Sequence, residues 1–151
     1  MFGVKSTTRR KSLNLKIPSR TEQLSVVREF VSEAARRFGF QEELVNKIAL
    51  AVDEACTNII KHSYEYSPNR EIEISIKTMD ASFEVIIADN GKSFEPGGVK
   101  IPHMREYLTH YRKGGLGMYL MRSLMDKVEY KKSNKKNEVH LIKLLDKKIH
   151  R

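Results

Sequence analysis

Glu71-Ile72-Glu73-Ile74-Ser75-Ile76-Lys77-Thr78-Met79-Asp80-Ala81-Ser82-Phe83-Glu84-Val85-Ile86-Ile87-Ala88-Asp89 is the stretch that decides how this chain folds. Ile72, Ile74 and Ile76 alternate strictly with polar or charged residues, the period-two mark of a half-buried strand. Met79-Asp80-Ala81 leaves room only for a short hairpin, so a second strand runs from Ser82 to Asp89. The sequence before it has another period. From about Gln41 to Tyr64, Leu44, Ile48, Val52, Ala55 and Ile59 form an apolar stripe at helical spacing. Val26, Val27, Phe30, Val31, Ala34, Ala35 and Phe38 form an earlier one, with Gly39 at its C′ position. Ser19 and Glu22 have capping-box spacing, which predicts the start of that first helix. Leu13, Leu15 and Ile17 alternate as a first strand, ended by Pro18.

Beyond Asp89, residues Asn90 to Lys113 show little apolar periodicity. Gly114-Gly115-Leu116-Gly117 then opens a helix to about Met125, and strands at Lys127–Lys132 and Glu138–Leu145 flank a lysine-rich turn. Two helices in a row and two hairpins in a row lack the regular alternation of a parallel α/β sheet. The order predicts α+β, with helices packed on one face of a mostly antiparallel sheet. A chain of 151 residues fits one such domain. We expect residues 12–146 to form it, with a basic N-terminal tail at 1–11 and a C-terminal tail at 147–151.

Composition narrows the function. Lys and Arg total 28 against 19 Asp and Glu, a formal charge of +9 that draws anions of any kind. No apolar run is long enough to span a membrane. Met1 to Lys11 is polar and basic with no apolar core, so a secretion signal is not expected. With one cysteine, Cys56, there is no intrachain disulfide, and the cytoplasm is the expected compartment.

Three constellations carry chemistry. Glu54 and Asn58 are one helical turn apart on the edge of the apolar stripe, where two hard oxygen groups suit Mg²⁺ or a polarised water. Lys61 and His62 follow one turn on, where they could meet phosphate; an ordinary amphipathic helix accounts for the same residues. Asp89 shares a face with Phe83, Val85 and Ile87 and so points towards the helices. A carboxylate there needs a donor, and the exocyclic amine of adenine is one. Asn90-Gly91 is a common turn dipeptide, and Gly91 would also let backbone approach a ligand. Gly114-Gly115-Leu116-Gly117 at a helix start offers N–H groups to phosphate without matching the Walker or dinucleotide pattern. The connection from Asp89 to Gly114 has the length and position of a lid.

Asp53-Glu54-Ala55-Cys56-Thr57-Asn58-Ile59-Ile60-Lys61-His62 resembles the N box of the GHKL ATPases. Asp89-Asn90-Gly91-Lys92-Ser93-Phe94-Glu95-Pro96 resembles their first glycine box, and Gly115-Leu116-Gly117-Met118-Tyr119-Leu120-Met121 their second. The short chain, without phosphotransfer helices, is most similar to the anti-sigma-factor serine kinases. The resemblance spans roughly Leu13 to Leu145. It implies a Bergerat-type two-layer sandwich, helices on a mixed, mostly antiparallel sheet, binding Mg²⁺ and ATP under a lid. By matched position, Glu54 would be the catalytic base towards a serine hydroxyl and Asn58 the Mg²⁺ ligand. Asp89 would take the adenine amine, with Gly91 beside it. Lys61, His62, Lys113, Gly114, Gly115, Leu116 and Gly117 would lie along the phosphates. The implied partners are a sigma factor, a STAS-type anti-anti-sigma protein and a second copy of the chain. Two positions depart from the pattern: Ser93 replaces a second glycine, and Lys136-Asn137 replaces a Gly-Thr pair.

Two other readings compete. A binding module without transfer chemistry would keep the pocket but need no base at Glu54. A nucleic-acid-binding domain would interleave lysines and aromatics on one sheet face. Glu71, Glu73, Ser75 and Lys77 do not, so direct nucleic-acid binding is not expected.

Overall fold

Each strand read from the period-two pattern forms in the computed structural model, which describes residues 10–91 and 115–145. The strands are β1 Arg10–Pro18, β2 Glu71–Met79, β3 Ser82–Asp89, β4 Lys127–Ser133 and β5 Lys136–Leu144, in the order β1-β2-β3-β5-β4. All neighbouring pairs are antiparallel, so the mixed sheet allowed for by the resemblance has no parallel pairing among the described strands. Short turns impose this on the β2–β3 and β4–β5 pairs. Met79 pairs with Ser82, and Ser133 pairs with Lys136, leaving two-residue loops. Asn134 and Lys135 both take positive φ, as a type I′ turn requires. Arg10 and Lys11, assigned to the tail by their charge, instead begin β1 opposite Met79 and Thr78. Residues 1–9 and 147–151, the remainder of the two expected tails, and residue 146, the expected end of the domain, lie outside the described residues.

Among the described residues three α-helices, α1 Leu24–Phe38, α2 Glu42–Asn58 and α3 Gly115–Leu124, accompany the sheet. Val27 and Val31 of α1 and Val45, Ile48 and Val52 of α2 are fully buried with Ile72, Ile74, Ile76, Val85 and Ile87 of the sheet. Phe83 lies in an aromatic group with Phe38 and Phe40, at centroid distances of 5.5 and 5.6 Å. Each such side chain contributes about 1.5–3 kcal/mol of burial. Gly39, at φ 121°, ends α1 with its N–H on the carbonyl of Arg36.

Two local features differ from the sequence reading. Ser19 does not cap a helix. It is 2% exposed, its hydroxyl donates to the carbonyl of Ser67, and it accepts the N–H of Arg70 at 3.2 Å. Pro18 pairs with Glu71, so Ser19 falls opposite Arg70 and finds backbone partners there before any helix begins. A 3₁₀ turn at Thr21–Gln23 leads into α1 without a side-chain cap. The second difference is at the end of α2. After Asn58 the helix widens into a π turn, Ile59–Ser63, in which the Tyr64 N–H reaches back to Ile59. Glu65 and Tyr66, both at positive φ, then reverse the chain towards β2.

Ser19→Ala should cost about 1–3 kcal/mol, the usual penalty for unpairing buried backbone groups. Urea unfolding measures the loss, and amide exchange locates it. Exchange should quicken at Arg70 and leave α1 protected; lost protection in the first turn of α1 would restore the capping role.

Candidate functional site

A cleft of about 610 Å³, counting its open mouth, lies between the end of α2, the central strands and α3. Ala55, Asn58, Ile59, His62 and Ser63 form one wall. Ile87 and Asp89 of β3 and Asn137 and Val139 of β5 form the floor, Tyr130, Lys131 and Glu138 the far side, and Met121 the wall from α3. The π turn follows directly on Asn58. Inserting it at this point is what brings His62 and Ser63 to the same wall, a common use of such turns at functional sites.

Asp89 is where the alternation of β3 placed it, at the buried end of the strand and 5% exposed. Its Oδ1 accepts the N–H of Gly91 at 2.9 Å and the amide of Asn137 at 3.0 Å. The Asn137 amide also reaches the carbonyl of Gly91 at 3.4 Å. Burial pushes the Asp89 carboxyl above its ordinary range. The bonds from Asn137, Gly91 and Ser63, and the nearby charge of Arg70, pull it back. Donors on several sides thus favour the ionised form and work against burial, which disfavours it.

The turn after Asp89 is tied to the end of α2. The Tyr64 hydroxyl accepts the N–H of Asn90 at 3.1 Å and donates to the carbonyl of Glu71. Arg70 lies over the Tyr64 ring, 4.6 Å from its centroid, and Nη2 donates to the carbonyl and side-chain oxygens of Asn90, both at 3.1 Å. Gly91 is pressed into this assembly. A Cβ there would lie 2.5 Å from the Ser63 carbonyl oxygen and 2.6 Å from the Tyr64 ring. The close approach that Gly91 permits is therefore to protein, behind the cleft wall. Sequence reasoning gave it to a ligand because a glycine does not say what approaches it.

Glu54 is half-buried one turn before Asn58. Burial pushes its carboxyl up, the charge of Asp53 adds to this, and Lys61 opposes it. Of the residues singled out from sequence, Asn58, His62 and Asp89 meet in the cleft. Glu54 and Lys61 stand beside one another electrostatically but outside the cleft lining. Gly115, Leu116 and Gly117 begin α3, whose Met121 joins the lining. Lys113, Gly114 and the expected lid lie outside the described residues. Ser63, Tyr64, Arg70 and Asn137 escaped the sequence reading as site residues. Only Asn137 carried a visible signal, as a departure before the last strand. Cys56 is fully buried, its thiol pushed up to about 12 by burial, and takes no part.

The family described as the histidine kinase-like ATPase domain matches residues 17–143. The serine-protein kinase RsbW of Bacillus subtilis is 34% identical over 123 residues, covering 77% of this chain and 75% of its own. RsbW of Bacillus pumilus is 33% identical over 126 residues, with coverage of 78% and 76%. Two solved structures share the fold. The RsbU and RsbW domains of a Mycobacterium tuberculosis protein superpose with a TM-score of 0.64 at 14% identity, over 89% of this chain and 32% of that one. A chain of the SiaB–SiaC complex of Pseudomonas aeruginosa gives 0.55 at 9% identity, over 94% and 93%. With its antiparallel sheet, its helices on one face and these relatives along most of its length, the chain belongs to the histidine kinase-like (GHKL) ATPase family, in its anti-sigma serine-kinase branch.

Proposed function

We propose that the chain binds Mg-ATP in this cleft and passes the γ-phosphate to a serine of a STAS-type anti-anti-sigma protein. It holds a sigma factor when that antagonist is phosphorylated, and it works in the cytoplasm as a homodimer. The observation that carries the reading is Asp89, a nearly buried carboxylate held by hydrogen-bond donors at one end of a cleft that has Asn58 on its wall. The RsbW relatives, named serine-protein kinases, support the chemistry. Among the described residues no helix is long and apolar enough to cross a membrane.

The residues fit the cofactor. Asp89 offers an acceptor to the exocyclic amine of adenine, and apolar Ile59, Ile87 and Val139 of the lining suit the faces of a base. Among the described residues no group of three His, Cys, Asp or Glu makes a metal cage. Mg²⁺ with a nucleotide needs only one or two protein oxygens beside phosphate and water, and Asn58 supplies one. Bound there, Mg²⁺ would neutralise phosphate charge. Glu54 would take the serine proton as the serine oxygen bonds to the γ-phosphorus and the bond to the β-phosphate oxygen breaks. Lys61 would steady the charge on Glu54. Gly115 and Gly117, in the first turn of α3, would bring its N–H groups to phosphate. One observation favours a binding module without transfer: Glu54 does not line the cleft.

Replacement of Glu54 separates the two readings. Glu54→Gln should cut single-turnover transfer by roughly 10²–10⁴-fold with little change in ATP affinity. In the wild type the transfer rate should fall as pH drops through a value above the ordinary glutamate range, because burial raises the pKa of Glu54 and only its ionised form is a base. Full transfer in Glu54→Gln would remove it from the role.

Base preference tests Asp89. GTP places a carbonyl where ATP places an amine, and losing a charge-assisted hydrogen bond costs about 1.5–3 kcal/mol. Calorimetry should therefore give markedly weaker binding of Mg-GTP, and equal affinities would contradict the assignment.

Gly117→Val tests the helix start. It should abolish Mg-ATP binding in a chain that circular dichroism shows to be folded. Unchanged ATP affinity would remove the second glycine box from the phosphate site.

A further inference from the structure

We infer that Asn137 is a specificity-determining positioning residue: its amide fixes Asp89 as a hydrogen-bond acceptor and so makes the cleft select a base that presents an amine. The inference rests on the nucleotide reading of the cleft. It goes further by naming a residue on another strand that sets the polarity of base recognition.

The register of the sheet supplies the placement. Asp89 and Asn137 are directly opposed in the β3–β5 ladder, where side chains on one face stand close together. A carboxamide has a donor end and an acceptor end, and its surroundings decide which faces which way. Here the nitrogen is 3.0 Å from Asp89 Oδ1 and 3.4 Å from the carbonyl oxygen of Gly91. Both neighbours are acceptors. Turning the amide over would set its oxygen against two others, so the donor end must face Asp89. A carboxyl that receives a donor from Asn137 and another from Gly91 has its ionised, acceptor-only form favoured by both. If the opposing group were an acceptor, one of the pair would take up a proton. The cleft would then present a donor as well, which suits a carbonyl-bearing base. Other charged or titratable groups face this end of the cleft: Arg70 before β2, His62 in the π turn, Lys131 on β4 and Glu138 on β5. Of the groups acting on Asp89, Asn137 gives the largest effect favouring ionisation and Arg70 the smallest.

The test is calorimetry with Mg-ATP and Mg-GTP on wild type, Asn137→Ala and the isosteric Asn137→Asp, at mildly acidic and mildly alkaline pH, with urea unfolding as the folding control. In the wild type, ATP affinity should weaken as pH falls and Asp89 protonates. In Asn137→Asp the direction should reverse. At alkaline pH two ionised carboxylates repel, whereas at acidic pH one shared proton restores a donor against Asp89. ATP affinity should therefore be about tenfold or more below wild type at alkaline pH and recover towards it on acidification. Asn137→Ala should lower the preference for ATP over GTP by about tenfold, and this variant carries the test if Asn137→Asp does not fold. A loss of packing alone would change neither the sign of the pH dependence nor the base preference. Wild-type selectivity and pH dependence in the variants, with tight ATP binding throughout, would overturn the role of Asn137 and leave the nucleotide reading standing. Failure of the wild type to bind either nucleotide would overturn both.

Discussion

A carboxylate withdrawn from water at the end of β3 is the constraint to which the rest of this site answers. An ionised group with 5% exposure is costly unless donors replace its water, and Asp89 draws them from separate parts of the chain. The Gly91 N–H comes from the turn that follows, the Asn137 amide from β5, and the Ser63 hydroxyl from the end of α2. Only a sheet in which β5 lies against β3 can deliver the second of these. Only a helix that ends beside that strand can deliver the third. The strand order β1-β2-β3-β5-β4 is thus a condition for keeping the charge as well as for covering the core.

The π turn has a similar double task. A regular α-helix running on from Asn58 would repeat its face every turn and carry the chain past β3. Widening at Ile59–Ser63 lets Ser63 face Asp89, sets the Tyr64 hydroxyl on Asn90, and brings the Ser63 carbonyl so near Gly91 that no side chain fits there. Arg70 closes the arrangement from the other side, and Ser19 fixes the backbone of Arg70 from the end of β1. The cleft wall and the first strand are therefore joined through a short chain of contacts. A change at Ser19, remote from any ligand, acts on the turn that holds Asp89.

The sequence displays regular structure well because periodicity reports which face is buried, and burial is what builds the layers. The isoleucines of β2, the stripe of α2 and the inward direction of Asp89 were all legible for that reason. Irregular structure was not. Ser19 has the spacing of a capping box, but a side chain takes whichever buried partner the tertiary register offers, and here that was Arg70. Nothing in Ile59-Ile60-Lys61-His62-Ser63 marks a π turn, since one extra residue in a turn leaves the apolar pattern nearly unchanged. Gly91 was visible as a special position, yet its neighbour was not, because the contact joins residues far apart in the chain. The partnership of Asp89 with Asn137 is of the same kind: it depends on a strand pairing that closes only in three dimensions.

Glu54 and Asp89 show how one physical effect serves two ends. Burial pushes both carboxyls upwards and is the largest influence on each. At Asp89 three hydrogen bonds and the charge of Arg70 oppose it, each favouring the form that accepts a hydrogen bond without giving one back. At Glu54 the neighbouring charge of Asp53 adds to the effect of burial, and only Lys61 opposes it. That group keeps a readiness to take up a proton, which a base requires and a recognition element must avoid. In the roles proposed for them, base and recognition element, the two carboxylates are thus told apart by the hydrogen bonds and charges around them.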